Sequence, residues 1–170
     1  MADQALSGIL LVGGSSTRFG SPKALAELEG ETLAERAWRL LGQVCEERIA
    51  VGHCDGLPFP SLVDAGTGPV AAIAAGLGAA AHDLAVVVPV DMPLLTPDAL
   101  RLLAAACRDA AVAQAGPLPC AVARRALPAL ETGERRLRTV LDGLDTARVE
   151  VDERLLANVN TPADLYRLAP

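Results

Sequence analysis

Residues 8–14 have the sequence GILLVGG, a short apolar run that stops abruptly at Gly13 and Gly14. A continuous apolar run of this length is typical of a strand that is buried on both faces of a parallel sheet. Two adjacent glycines allow the backbone to turn sharply at the end of such a strand. The stretch therefore predicts a buried parallel strand that ends in a glycine-rich loop.

Strand-like and helix-like segments alternate outward from this first run. Residues 84–90, LAVVVPV, form the most β-branched run, which predicts the central strand of the sheet. Apolar residues recur at helical spacing over 32–44, and Thr96 followed by Pro97 is typical of a helix that continues to about residue 107. Further strands are predicted at 48–52, 62–63, 111–114, 120–123 and 147–151, and further helices at 69–81, 126–131, 134–144 and from 161 onward. The alternation predicts one three-layer α/β domain over residues 1–170, with a mostly parallel central sheet.

The composition disfavours several classes of protein. Apolar residues make up 51% of the chain and aromatic residues only 2%, so the core must consist of Leu, Val, Ile and Ala. The net charge of -6 disfavours a nucleic-acid-binding protein, which should have a basic surface. No apolar run reaches the roughly 18 residues of a membrane-spanning helix, and the N-terminus shows no signal-peptide pattern. We therefore expect a soluble cytoplasmic protein with no nucleic-acid and no membrane partner.

Four polar or glycine-rich segments follow the predicted strands, at residues 13–23, 64–68, 91–93 and 158–161. The carboxyl ends of parallel strands meet at one edge of a sheet, and α/β proteins bind their ligands beyond that edge. We therefore expect the four segments to converge on a single ligand site.

The first of these segments carries a glycine pair and two cations. The N–H groups at Gly13, Gly14 and the residues after them can form an anion-binding nest, to which Arg18 and Lys23 would add charge for a triphosphate. Lys23 is the only lysine in a chain that otherwise uses arginine, which argues against an accidental position. The spacing fits neither a P-loop nor a GxGxxG dinucleotide motif. The alternative is an ordinary βα loop with exposed cations.

Asp91 directly follows the predicted central strand. A carboxylate at this position suits Mg²⁺, which binds one or two carboxylates together with phosphate oxygens. Asp64 follows the preceding strand in the same way. Asn158 and Asn160 occupy alternate positions of an extended segment, so both carboxamides could face the site and orient a phosphate or a metal-bound water. The alternative is that these aspartates and asparagines bind no ligand and only form turns and cap helices.

Other residues give weaker signals. Arg135 and Arg136, in the sequence Gly-Glu-Arg-Arg, could bind an anionic acceptor or could belong to a solvated helix face. No GxSxG motif and no Ser/His/Asp order indicates a protein nucleophile. The four cysteines have no CxxC spacing, and we expect them to be buried thiols.

Residues 11–23, LVGGSSTRFGSPK, resemble the L-x-G-G-x-x-x-R-(M/F)-G-x-x-K signature of sugar-phosphate and cofactor nucleotidyltransferases. Within that superfamily the chain is most similar to the molybdenum cofactor guanylyltransferases, over nearly its whole length. The motifs that carry this resemblance are the glycine pair, VDMP at 90–93, Gly68-Pro69, GERR at 133–136 and NVNTP at 158–162. The cytidylyltransferase relatives usually have Ala-Gly in place of the glycine pair.

The resemblance implies a Rossmann-like nucleotidyltransferase fold, with GTP and a molybdopterin-type cofactor as substrates and Mg²⁺ as cofactor. We expect in-line attack by the acceptor's terminal phosphate on the α-phosphorus of GTP, with Lys23, Arg18 and Asp91 as catalytic residues. Carried over by motif, the nucleotide-binding residues are Leu11, Val12, Gly13, Gly14, Lys23, Asp64 and Asp91, with Asp91 also the metal ligand and Asn158 and Asn160 beside the metal and phosphates. Transient contact with proteins that deliver the molybdenum cofactor is a further expectation.

The chain departs from this family between residues 114 and 119. Family members usually have a longer loop with a His-Pro or Gln-Pro pair, whereas this chain has only GPLP at 116–119. In the family this loop lies on the acceptor side, so the departure bears on the acceptor more than on the nucleotide chemistry.

The alternative functions are a cytidylyltransferase of the same cofactor, a sugar-1-phosphate nucleotidyltransferase, a dehydrogenase-like domain and a GTP-binding module without catalysis.

Overall fold

Helices and strands alternate along the computed structural model of the protein, which describes residues 4–13, 22–63 and 68–168. The strands are β1 (Ser7–Leu11), β2 (Glu27–Leu28), β3 (Glu31–Thr32), β4 (Glu47–Val51), β5 (Ser61–Leu62), β6 (Leu84–Pro89), β7 (Ala110–Ala113), β8 (Cys120–Ala123) and β9 (Thr146–Val149). The helices are α1 (Leu33–Gly42), α2 (Pro69–Ala79), α3 (Pro97–Ala106), α4 (Leu127–Leu130), α5 (Leu137–Asp142) and α6 (Pro162–Leu168). Within these described ranges, every helix is too short or too polar to cross a membrane.

In the described part of the chain, seven strands form one sheet in the order β5-β4-β1-β6-β8-β7-β9. The strands β5, β4, β1 and β6 are parallel neighbours, and β7 is parallel to β9, whereas β8 is antiparallel to both of its neighbours. The loop between β7 and β8 is too short for the crossover that a parallel pair requires, so these two strands form a hairpin. The predicted mostly parallel sheet is confirmed.

The strand β6 lies in the middle of this sheet, as its β-branched sequence predicts. Its valines alternate between two cores, since Val86 and Val88 pack with residues of α1 and α3, and Val87 packs with residues of α2, α4 and α5. All three valines are fully buried. The sheet therefore separates two helical layers, and the predicted three-layer architecture is confirmed.

The predicted helix starts agree with the observed caps. The Thr32 hydroxyl accepts a hydrogen bond from the Glu35 N–H, and the Glu35 carboxylate accepts one from the Thr32 N–H, which is a capping box. The Thr96 hydroxyl accepts from the Ala99 N–H at the start of α3, directly before Pro97. Local sequence alone is sufficient to place these two helices.

One local prediction is wrong, and one small element was not predicted. The helix predicted from residue 134 begins only at Leu137, because Gly133 has a φ of 87° and the Glu134 carboxylate accepts a hydrogen bond from the Arg136 N–H, which makes this segment a turn. The small hairpin of β2 and β3 was not predicted. Its turn residues Glu29 and Gly30 both have positive φ, of 56° and 79°, as a type I′ turn requires.

Candidate active site

The loops that follow β1 and β6 leave the sheet side by side. The two strands are parallel neighbours, with Leu11 paired to Pro89, and the Val90 N–H donates to the Leu11 carbonyl oxygen at 3.2 Å. The loop that begins at Gly13 and the turn that carries Asp91 therefore start at the same edge of the sheet. This is the carboxyl edge, where the sequence predicts the ligand site.

Lys23, Asp91 and Asn160 meet at this edge. The Nζ atom of Lys23 lies 3.2 Å from Oδ2 of Asp91 and 3.2 Å from Oδ1 of Asn160. The side chains of Lys23 and Asp91 are 19% and 24% exposed, so water and salt screen their attraction less than that of a surface pair. The structure thus brings together the only lysine, the carboxylate after the central strand and one of the two predicted asparagines.

A single 3₁₀ turn, Lys23–Leu25, fixes the position of the lysine. The Leu25 N–H donates to the Pro22 carbonyl oxygen at 3.0 Å, and the Ala26 N–H donates to the Lys23 carbonyl oxygen at 3.1 Å. Ala24 within this turn is buried in the core next to α1. Because the turn is anchored through Ala24, the neighbouring lysine side chain is held within reach of Asp91.

The segment before α6 is attached to Asp91 through its backbone. The Val159 N–H donates to the Asp91 carbonyl oxygen at 2.8 Å, and the Val159 side chain is fully buried. The asparagines on either side of Val159 both reach the site, since Asn160 contacts Lys23 and Asn158 lines a cavity beside Asp91. The extended segment thus presents two carboxamides to the carboxyl edge.

Asp164 holds this segment from the first turn of α6. Its Oδ2 atom accepts hydrogen bonds from the N–H groups of Asn160 and Thr161 at 2.9 and 2.8 Å. These bonds, with that from Asn160 the strongest cause, lower the pKa of the Asp164 carboxyl from its ordinary value. Asp164 is not among the predicted site residues, although the sequence Thr-Pro-Ala-Asp at 161–164 matches a capping box and could have indicated it.

Gly52 limits the space around the first loop. Its φ is 115°, and a Cβ atom at this position would lie 2.4 Å from the backbone nitrogen of Gly13. The adjacent backbone is held on both sides, because the Val12 N–H donates to the Val51 carbonyl oxygen and the Gly52 N–H to that of Leu62. Only glycine fits here without strain. Gly52 therefore determines how closely β4 approaches the start of the predicted phosphate-binding loop.

The other predicted nucleotide-binding residues fall into two groups. Leu11 and Val12 are buried, with side chains that belong to the two cores, so only their backbone atoms are available to a nucleotide. Gly14, Arg18 and Asp64 lie outside the described residues.

A cavity of about 330 Å³ opens beside Asp91 and Asn158. Residues 115–118, in the short loop where the chain departs from the family it resembles, form one of its walls. Arg138 of α5 also lines the cavity, whereas Arg135 and Arg136 do not, although all three arginines are exposed to solvent. Arg138 is not among the predicted site residues, because a charged residue on a short helix gives no sequence signal of its own.

The oxygen donors at this edge suit Mg²⁺. Among the described residues, no group of three His, Cys, Asp or Glu side chains forms a protein metal cage. Asp91 supplies a carboxylate, and Asn158 and Asn160 supply neutral carboxamide oxygens nearby. Mg²⁺ prefers such hard oxygen ligands and completes its shell with water and substrate phosphates, so this set fits it.

The cysteines are unsuited to nucleophilic chemistry. Burial raises the pKa of Cys45 to about 12 and that of Cys107 to about 11, and it also raises the pKa of Cys120. The thiolate is the nucleophilic form, so these thiols are unreactive at neutral pH. Cys120 is fully buried as expected, whereas Cys45, Cys54 and Cys107 are only partly buried, and all four are free.

Known proteins resemble this chain over most of its length. A family model described as the MobA-like NTP transferase domain matches residues 8–150. A probable molybdenum cofactor guanylyltransferase from Mycobacterium marinum is 35% identical over an alignment of 185 residues, which covers 95% of this chain and 92% of the relative. A protein of the same description from Deinococcus radiodurans is 33% identical, with 96% of this chain and 94% of the relative covered.

Solved structures share the fold. The molybdopterin-guanine dinucleotide biosynthesis protein A from Archaeoglobus fulgidus has a TM-score of 0.79 and 25% identity, with 95% of each chain covered. A nucleotidyl transferase from Methanothermobacter thermautotroptrophicus has a TM-score of 0.81 at 22% identity, with 96% of this chain and 95% of that chain covered. Since the family model matches most of the chain and relatives above 30% identity match nearly all of it, the chain belongs to the family of MobA-like NTP transferase domains.

Proposed function

We propose that this protein transfers the GMP part of GTP to a molybdopterin-type cofactor and releases pyrophosphate. The contact of Lys23 with Asp91 and Asn160 carries the proposal, because it joins a cation suited to phosphates with a carboxylate suited to a divalent metal. The relatives described as probable molybdenum cofactor guanylyltransferases support the choice of nucleotide and acceptor. One sheet runs from β5 to β9, which supports a single nucleotidyltransferase domain over residues 1–170.

In the proposed reaction, an oxygen of the acceptor's terminal phosphate forms a bond to the α-phosphorus of GTP. The bond between the α-phosphorus and the oxygen that leads to the β-phosphate breaks, and its electron pair leaves with pyrophosphate. This displacement needs no protein nucleophile, which agrees with the high pKa values of the thiols. Catalysis then depends on position and on charge neutralisation.

Different residues of the chain have different proposed roles in this reaction. Lys23, with Arg18, would neutralise the charge that develops on the leaving pyrophosphate. The backbone at residues 11–14 would hold the nucleotide, and Asp64 would contact the guanosine. Asn158 and Asn160 would orient a phosphate or a water without adding negative charge to a site that already has to accept anions.

Mg²⁺ is the proposed cofactor, with Asp91 as its protein ligand. When bound, the ion supplies positive charge to the phosphate oxygens. Asp91 follows the central strand and is tied to Val159 through its carbonyl oxygen, so the backbone that carries its carboxylate is held in one place. A carboxylate on such a fixed backbone at the carboxyl edge is what a single-ligand magnesium site requires from the protein.

A pyrophosphate-release assay tests this function. The protein is incubated with Mg²⁺ and each of the four NTPs, with and without a molybdopterin-type cofactor. We expect pyrophosphate only when GTP and the acceptor are both present. Release with CTP would indicate a cytidylyltransferase, release with a sugar 1-phosphate a sugar nucleotidyltransferase, and GTP binding without release a binding module.

The variant Asp91→Ala connects this activity to the site. We expect at least a 100-fold loss of turnover, roughly the effect of removing one preorganised electrostatic contact, with an unchanged circular dichroism spectrum. Asp98→Ala is the matched control, because the Asp98 side chain is 94% exposed on α3 and pairs only locally with Arg101. Turnover near that of the wild type in Asp91→Ala would refute the metal-binding role.

A further inference from the structure

The cavity beside Asp91 has one basic wall. Its polar lining residues are Asp91, Asn158 and Arg138, and its other lining residues are apolar or glycine. The loop 115–118 contributes Ala, Gly, Pro and Leu, none of which has a charged side chain. Among the described residues that line this cavity, Arg138 is thus the single basic side chain.

Arg138 also differs from most other arginines of the described chain in its partners. The majority of those arginines form salt bridges with a carboxylate, as Arg39 does with Glu31, Arg125 with Asp109 and Arg148 with Asp142. Arg138 forms no salt bridge and no side-chain hydrogen bond with any described residue. Its charge is therefore available to a molecule that enters the cavity.

The composition of the cavity walls indicates the chemistry of that molecule. Apolar walls favour a ring system or another body with little charge. A guanidinium group binds phosphate oxygens through two parallel hydrogen bonds, which no lining carboxamide can replace. A ring system with little charge that carries a phosphate would satisfy both features.

We propose that Arg138 binds the phosphate of the acceptor and holds it beside Asp91. This inference rests on the proposed function and adds a residue for acceptor binding. Lys23 contacts Asp91 but does not line the cavity, whereas Arg138 lines the cavity next to Asp91. The two cations are thereby assigned to different substrates, Lys23 to GTP and Arg138 to the acceptor.

The experiment compares Arg138→Met with the wild type at saturating GTP and varied molybdopterin-type acceptor. We expect the acceptor KM to rise about 10- to 100-fold, as for the loss of a charge-assisted hydrogen bond, while the GTP KM stays within twofold. Arg138→Lys keeps the charge but loses the two parallel hydrogen bonds of the guanidinium group, so its acceptor KM should lie between those of the wild type and Arg138→Met. Arg154→Met is the control, because Arg154 is highly exposed and pairs with Asp152 next to it.

Direct binding separates this inference from the proposed function. Titration of the acceptor into each protein without GTP should show the same 10- to 100-fold weakening in Arg138→Met and none in Arg154→Met. If the wild type releases no pyrophosphate, the proposed function fails and the binding titration alone decides the role of Arg138. Equal acceptor affinity and equal acceptor KM in Arg138→Met and the wild type would overturn the inference.

Discussion

Each edge of the central sheet has a carboxylate in a hydrogen-bonded cluster, and the two clusters are built differently. At the amino edge, the Ser7 hydroxyl donates to Oε2 of Glu47 at 2.7 Å and accepts from the His82 N–H at 3.3 Å. The same Oε2 atom accepts from the Ala81 N–H at 2.8 Å. This cluster joins the parallel strands β1 and β4 to the segment just before β6, through the backbone N–H groups of Ala81 and His82. Ser7 is fully buried.

At the carboxyl edge, the described partners of the Lys23 ammonium group are side chains rather than backbone groups. Lys23 bonds to Asp91 and Asn160 at 3.2 Å, with side chains that are partly exposed beside a cavity. A side chain can rotate away from its partner to admit a ligand, whereas a backbone partner moves only with the segment that contains it. The comparison therefore predicts that the amino edge stabilises the fold and that the carboxyl edge performs the chemistry.

The largest expected effect is on activity, in Lys23→Met. We expect kcat/KM for GTP to fall at least 100-fold, because the charge for the triphosphate is lost. Stability should change by less than about 1 kcal/mol, the usual upper value for an ion pair that keeps contact with water. Pyrophosphate release and urea unfolding measure the two quantities. A large loss of stability with retained turnover would reverse the assignment of this edge.

Gly52→Ala should affect both quantities, because Gly52 connects the core to the first loop. A Cβ at its φ of 115° would collide with the Gly13 nitrogen, at a cost of about 1–3 kcal/mol in stability. GTP binding should weaken as the loop shifts. Denaturant unfolding and GTP titration test this. Gly78→Ala is the control, since a Cβ there meets nothing within 4 Å, and a Gly52→Ala protein that behaves like this control would contradict the close-approach argument.

Ser7→Ala should lower stability without a change in activity. It leaves the His82 N–H and one Glu47 bond without their partner, which costs about 1–3 kcal/mol for buried groups. The midpoint of urea unfolding should fall, while kcat/KM at 25 °C stays at the wild-type value. A drop in kcat/KM without a loss of stability would show that the amino edge takes part in function.

The smallest expected effect is a change in the pH dependence of stability in Glu47→Gln. The Ala81 N–H, as the largest cause, lowers the pKa of Glu47 from its ordinary value of 4.5. The stability that this carboxylate contributes is present above pH 4.5 and is lost as the pH falls through the lower folded-state pKa. Urea midpoints measured from about pH 6 to about pH 3 should therefore fall less steeply in Glu47→Gln than in the wild type. Parallel curves would show that Glu47 makes no such contribution.

Local sequence was sufficient for much of the fold. The valines of β6 and the Thr96 cap act over a few residues, so pattern and propensity predict them. The position of β8 between β6 and β7 depends instead on which strands pair across the chain, which no local pattern contains. The late start of α5 depends on the turn at Gly133 and Glu134, which competes with helix formation.

The contacts at the candidate site were predictable to the extent that they follow from strand ends. Lys23 and Asp91 lie in loops that leave neighbouring parallel strands, so their approach follows from topology once the strands are known. Arg138 reaches the cavity from a helix far along the chain, and Gly52 is required because a Cβ atom there would lie 2.4 Å from the Gly13 nitrogen. Both depend on three-dimensional packing, which explains why the sequence did not indicate them.

Transfer of the α-phosphate itself is the most direct test of the account. The protein is incubated with Mg²⁺, a molybdopterin-type acceptor and GTP that carries radioactive phosphorus at the α-position, and the products are separated. We predict that the label moves into the acceptor, that the released pyrophosphate is unlabelled, and that Asp91→Ala transfers none. Label that stays in GTP, or that appears only as free GMP, would contradict nucleotide transfer at this site.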